Sequence, residues 1–336
     1  MKKYRIFKIF GACVITMLLV STFSVLGINV KNNETLGLET SSPITSYDGQ
    51  LRVYVVEPVS RWNDYDGNPY HYGFLDLALD QKLTIEYQDS YYKKVIWDAQ
   101  QAGYDNVEEQ NIMVIAAIFN SKGKIKFSYP PILNPFIAHY VDAAAAATPG
   151  KTGKNTVNEN FTHTVFVEEG TATSCKYCPI TSEDLYTIFN TYDYPFYFVA
   201  LIKDMAQKAA DRLFKDYNIV GYPTCYFDGG LEVVVGTSDV PTYRDIIESS
   251  GARDVHEFDL SISLVWAGSG VLDIEVTIKN NEESTVHNQD VNYFPSIVNS
   301  NPTTFEITSL KSNSWLLGFF DRFPNVFPVL RQLLGL

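Results

Sequence analysis

Two cysteines with two residues between them, Cys175 and Cys178, follow an apolar run from Val165 to Val167 and precede a helical stretch that opens at Pro179. That order places Cys175 where a helix leaves a strand. Unpaired backbone N–H groups and the positive end of the dipole favour an anion at a helix start, so a thiolate there is stabilised and its pKa falls below the free value. Such a thiol is both reactive and a good leaving group. The stretch that holds the pair, His163 to Thr224, closes on Gly221-Tyr222-Pro223-Thr224.

Of the other cysteines, Cys13 lies in an apolar N-terminal run and Cys225 follows the Pro223 turn, where it reads as a core thiol. A disulfide scaffold calls for an even, scattered set, whereas one Cys-x-x-Cys pair plus one odd residue reads as redox chemistry. Zinc needs four ligands, and neither a second cysteine pair nor a His-x-His partner stands nearby, so no metal is expected at the pair.

The order around the pair is strand (163 to 168), Cys-x-x-Cys, helix (179 to 191), strand (196 to 203), helix (206 to 217), Gly-Tyr-Pro-Thr, strand (224 to 228), Gly-Gly turn, strand (231 to 236) and helix (242 to 250). Over 161–252 the chain thereby resembles the thioredoxin-like superfamily. The resemblance implies an α/β thioredoxin-like domain and a cis Tyr222-Pro223 bond facing the cysteines. It implies that Cys175 attacks a substrate disulfide and Cys178 resolves the mixed disulfide, with Glu169 at the position of a buried proton acceptor; read from the sequence alone, Glu169 is equally a solvated strand-end carboxylate. Tyr222, Pro223 and Thr224, with Tyr177 between the cysteines, are the implied substrate contacts. Lys176 adds positive charge that favours the thiolate. Two departures stand out: Ser174 occupies a position that is Trp in many members, and Lys176-Tyr177 replaces Gly-Pro between the cysteines. No organic cofactor is implied.

The chain carries 26 basic and 39 acidic residues, a net charge of −13, with no Lys/Arg cluster past residue 8, which argues against a nucleic-acid partner. Lys2, Lys3, Arg5 and Lys8 precede an uncharged run from Ile9 to Val30. Residues 1–27 read as a signal peptide or a retained membrane anchor, so the rest is expected outside the cytoplasm, secreted or held at the cell surface.

Short β-rich runs at 51–57, 82–87, 94–97, 112–119 and 124–127, split by Gly, Asn, Asp and Pro, predict an all-β, Ig-like sandwich over 48–142. Ser60 to Asp80 reads as a long aromatic loop. Within it Asp64, Asp66 and Asn68 have calcium-like spacing, but the twelfth position is Leu75, and an Asp-Gly turn fits better. His139 reads as structural. Residues 143–160, an alanine run followed by Thr-Pro-Gly-Lys-Thr-Gly-Lys, read as a linker. Asn33 and Asn160 head glycosylation sequons.

Beyond the redox region, 257–280 alternates around Ala-Gly-Ser-Gly as a β-hairpin, which needs another sheet to lie on; the 48–142 domain is the expected host. A polar tail, 281–314, leads to an amphipathic apolar segment, 315–336, suited to a membrane surface, a partner or docking on the chain's own domains.

The expected function is therefore exported thiol-disulfide oxidoreduction, with protein thiols or disulfides as substrates and a redox recycling partner. The alternative is a surface-displayed binding protein whose thioredoxin-like unit is a redox-inert scaffold, with the aromatic loop as its binding element.

Overall fold

A computed structural model describes residues 46–283; the segments 1–27 and 315–336, most of the polar tail, Cys13 and Asn33 lie outside the described residues. Those described are half strand and 16% helix. Strands β1 (Ser46–Asn63) and β2 (Pro69–Glu86) form one long antiparallel hairpin. Alternation fixes its faces: Leu51, Val53 and Val55 enter one core, while Tyr54 and Val56 enter another.

The expected 60–80 loop is therefore mostly strand. Tyr70, Tyr72 and Phe74 are buried on β2, and only Asp64 to Asn68 make the turn. The Asp64 carboxylate accepts from the backbone N–H groups of Asp66 and Asn68, both at 2.9 Å, which is the chemistry of an Asp-Gly turn.

Next come β3 (Ser90–Asp98), β4 (Met113–Asn120), β5 (Lys124–Tyr129), β6 (Leu133–Ala138), β7 (Val141–Ala147) and β8 (Lys151–Lys154). The expected linker at 143–160 thus contributes two strands. In β7, Ala144 and Ala146 face one core while Ala143, Ala145 and Ala147 face the other. Buried on both sides, that strand has room only for small side chains. Opposite it Gly153 of β8 lies so close that a Cβ there would sit 1.6 Å from the Ala146 carbonyl oxygen.

The cysteine region supplies β9 (Val165–Thr171), α1 (Cys178–Phe189), β10 (Phe196–Ile202), α2 (Gln207–Asp211) with a π turn at Arg212–Asp216, β11 (Thr224–Phe227), β12 (Glu232–Val235) and α3 (Val240–Gly251). Pro179 opens α1, where a missing N–H costs nothing, and the Asp239 side chain caps α3 by accepting from the Thr242 N–H. The chain then forms the hairpin β13 (Phe258–Gly268) and β14 (Val271–Asn280).

One eight-stranded sheet runs β12-β11-β9-β10-β2-β1-β4-β7. Strands β9 and β10 are parallel, and β10 joins β2 in parallel through the single bridge Ala200–Gly73. The other neighbours are antiparallel. A second sheet, β3-β14-β13-β8, is antiparallel throughout, with β14 paired to β3 from Val271–Asp98 to Lys279–Ser90. Side chains of β1, β4 and β7 meet those of β13 and β14 in a shared core of Ile, Leu, Val and Ala. Each fully buried Ile or Leu there contributes about 1.5–3 kcal/mol.

The seam between the two halves of the large sheet also holds a buried ion pair. Arg212 Nη2 lies 2.8 Å from Glu168 Oε2, and the Tyr54 and Tyr217 hydroxyls donate to the same carboxylate. Burial pushes Glu168 up, but the Arg212 guanidinium outweighs it and holds the carboxylate below its usual range.

Candidate functional site

Cys175 and Cys178 are joined as a disulfide. Cys175 is half-buried on the loop between β9 and α1, whereas Cys178, in the first turn of α1, is fully buried. Access to the pair is therefore through the Cys175 sulfur. Lys176 and Tyr177 between them are exposed.

Three elements hold the loop that carries the pair. The Cys175 N–H donates to the Ala172 carbonyl at 3.0 Å, and the Cys178 N–H donates to the Cys175 carbonyl at 3.3 Å. From the loop after β10, Asp204 accepts from the Thr173 N–H at 3.1 Å and from its hydroxyl. From β2, the Tyr70 hydroxyl donates to the Ala172 carbonyl at 3.0 Å and accepts from the Thr171 hydroxyl at 2.9 Å. Neither Tyr70 nor Asp204 carried a motif in the sequence. They are found only by knowing which strands are neighbours.

Tyr222-Pro223 is cis and leads into β11, where Thr224 pairs with Gly170 of β9. Gly170 lacks a side chain where a Cβ would come within 2.6 Å of Ile219 and 2.9 Å of Leu213, so the turn can close on β9. Thr224 is buried and its hydroxyl donates to the Gly221 carbonyl at 2.9 Å, bracing the turn from inside. Tyr222 is part-buried with the Lys203 ammonium 5.8 Å from its ring centre. Burial, with Asp204 adding, pushes its phenol up to about 12.

Glu169 is completely buried on β9. Its Oε1 accepts from the Ser182 hydroxyl at 2.7 Å, and its Oε2 has no hydrogen-bond partner. Ser182 stands one helical turn beyond Cys178 on α1, so the carboxyl is tied to the turn that carries the buried sulfur. Burial pushes its pKa up to about 8, opposed by the hydrogen bond from Ser182. At neutral pH the group is largely a neutral acid with a proton to give.

Cys225 is the cross-strand partner of Glu169, free and fully buried. Burial, reinforced by Glu169, pushes its thiol well up, so it stays protonated. Tyr243 of α3 lies against it, and the Thr181 hydroxyl lies 3.4 Å from the Tyr243 hydroxyl. Thr181, Ser182, Tyr243 and Cys225 are all buried. Ser182 had a legible signal, since i and i+4 share a helix face; Tyr243 had none.

His139 lies apart from this site. It donates from Nδ1 to the Asn120 carbonyl at 2.8 Å. No protein-family model matches this sequence, and no curated protein matches it significantly.

Proposed function

We propose that the protein is a thiol-disulfide oxidoreductase of thioredoxin-like architecture acting through Cys175 and Cys178 outside the cytoplasm. The observation that carries this reading is the asymmetry of the pair: one sulfur reachable, the other sealed above a buried carboxyl that keeps its proton. In the disulfide form, a substrate thiolate attacks Cys175 Sγ, the Cys175–Cys178 bond breaks, and Cys178 leaves with the electron pair. Glu169 donates its proton toward the departing Cys178 through the buried space beneath α1. A second substrate thiolate then attacks the substrate sulfur and expels Cys175 as a thiolate. The net result is one substrate disulfide formed and a reduced Cys175/Cys178 pair, re-oxidised by a partner disulfide. Lys176 favours the Cys175 thiolate, and the turn at Tyr222-Pro223, with Tyr222 part-buried and Pro223 buried, is where an extended substrate strand lies.

The order of strands and helices along 163–251 supports the thioredoxin-like part of this reading, as does the cis bond before Pro223. The inert-scaffold alternative keeps Ser174 in place of Trp in its favour but loses the aromatic loop, because Tyr70, Tyr72 and Phe74 pack inside. The test is the reduction potential of the pair together with trapping by Cys178→Ser. A potential above about −300 mV, with mixed disulfides through Cys175 accumulating in Cys178→Ser, is expected. A lower potential with no exchange activity would establish a static bridge instead.

A further inference from the structure

Among the described side chains, Glu169 makes one hydrogen bond. Its Oε2 has no partner, and its Oε1 meets the Ser182 hydroxyl at 2.7 Å. Tyr70 of β2, Cys225 of β11 and Tyr243 of α3 also feel the charge of this carboxyl. Each of them is engaged elsewhere. The Tyr70 hydroxyl donates to the Ala172 carbonyl at 3.0 Å and accepts from the Thr171 hydroxyl at 2.9 Å. Cys225 lies against Tyr243, whose hydroxyl is 3.4 Å from that of Thr181. A proton that leaves Glu169 for a neighbouring side chain therefore meets Ser182 first.

Ser182 also stands on the right face of the helix. It follows Cys178 by four residues in α1, so the two side chains share one side of the helix. Helical Cα–Cβ bonds tilt toward the N-terminus, which leans the Ser182 side chain over the turn that holds Cys178. Glu169, Ser182 and Cys178 are 0%, 3% and 0% exposed, so bulk solvent reaches none of them. Alanine at position 182 would suit a buried helix face and favour the helix more. What serine adds there is a group that both gives and takes a proton.

We propose that Ser182 relays the proton between Glu169 and Cys178 during thiol-disulfide exchange, an inference that rests on the function proposed above. When a substrate thiolate attacks Cys175 Sγ, the Cys175–Cys178 bond breaks and its electron pair goes to Cys178 Sγ. The Ser182 hydroxyl gives its proton to that sulfur while Ser182 Oγ takes the proton held on Glu169 Oε1. The products are a mixed disulfide on Cys175, a Cys178 thiol, an unchanged serine and a Glu169 carboxylate. Re-oxidation by a partner disulfide runs the path backwards: the Cys178 thiol gives its proton to Ser182 Oγ, and the hydroxyl proton passes to Glu169. The 2.7 Å contact serves both directions, because a hydroxyl accepts from a protonated carboxyl and donates to an ionised one. Without the relay the departing sulfur is a buried thiolate, the form that burial disfavours.

The test compares Ser182→Ala and Ser182→Gly with the parent, each as the full chain, in reduction by dithiothreitol and in re-oxidation by its cyclic disulfide at pH 7. Thiols are alkylated in denaturant and the products weighed; the pair contributes two alkyl groups on reduction, above a constant background from Cys13 and Cys225. Ser182→Ala, which keeps a helix-favouring residue, is expected to slow both directions about tenfold or more. The equilibrium constant should change less than about twofold, since a relay lowers the barrier in both directions alike. Ser182→Gly opens room for a water beside Glu169 Oε1 and should run at least about threefold faster than Ser182→Ala, although glycine weakens a helix. Parent rates in Ser182→Ala overturn the relay. So does an equilibrium constant that moves as far as the rates, or a Ser182→Gly slower than Ser182→Ala, because both mark a loosened helix instead. A parent that dithiothreitol leaves oxidised overturns the proposed function itself, and the relay with it, a result that no behaviour of the variants imitates.

Discussion

Replacing Glu169 by Gln isolates the buried carboxyl. Its pKa lies at about 8 in the folded protein against an ordinary 4.5. Between those values the folded state holds a proton that the unfolded state has released, so stability is complete below the lower value and is lost as pH rises toward the upper. At about 1.4 kcal/mol per pH unit, the full loss is about 5 kcal/mol, and about 3 kcal/mol has gone by pH 7. Complete burial leaves no solvent screening to discount, so these figures are upper bounds set by local relaxation. Gln keeps the shape, still accepts from Ser182, and leaves one polar atom unpartnered where Oε2 already is. The variant should therefore match the parent near pH 4.5 and be more stable by about 3 kcal/mol at pH 7. Urea denaturation of both proteins in the disulfide form, at several pH values from 4.5 to 8, measures the difference directly, because all other titrating groups cancel. A stability difference that stays flat across that range refutes the raised pKa. With it would go the proposed proton donation from Glu169 to Cys178, and exchange rates of the variant at pH 7 would then equal those of the parent.

Tyr70→Phe removes the hydroxyl that ties β2 to the Ala172 carbonyl; disulfide exchange with a small dithiol should slow severalfold while the protein stays folded, at a cost of about 1–2 kcal/mol. Gly153→Ala forces a methyl into the Ala146 carbonyl, and chemical denaturation should register a loss of about 3 kcal/mol or more, with no change in exchange rate per folded molecule.

Where local chemistry decides structure, the sequence is readable. Pro179 marks a helix start, Gly229-Gly230 separates β11 from β12, and alternation from Phe258 to Lys279 fixes the last hairpin. The cysteines, Glu169 and Pro223 could be named for the same reason. Ala143 to Ala147 could not be read as a strand, since a uniform run has no period and alanine favours helix. Only the two cores on either side of β7 impose extension. Tyr70 to Phe74 was hidden differently: His71 and Gly73 break the run into what looks like loop, although β1 pairs with it through Val56–Phe74, Glu57–Gly73 and Val59–His71, and the single bridge to β10 comes from far along the chain. Tyr70 was missed as a brace for the cysteine loop because strand adjacency is a property of topology, not of any window of residues.

Strand β2 belongs to both halves of the large sheet, pairing with β1 along most of its length and touching β10 at Ala200. The cysteine unit is consequently not a cassette. Excised at 161–252 it would leave behind the Tyr70 brace and the Tyr54 hydroxyl that helps neutralise Glu168, and it would expose the flank of β10 to any passing strand. Grafting the Cys-x-x-Cys chemistry elsewhere thus requires carrying the β1–β2 hairpin along with it.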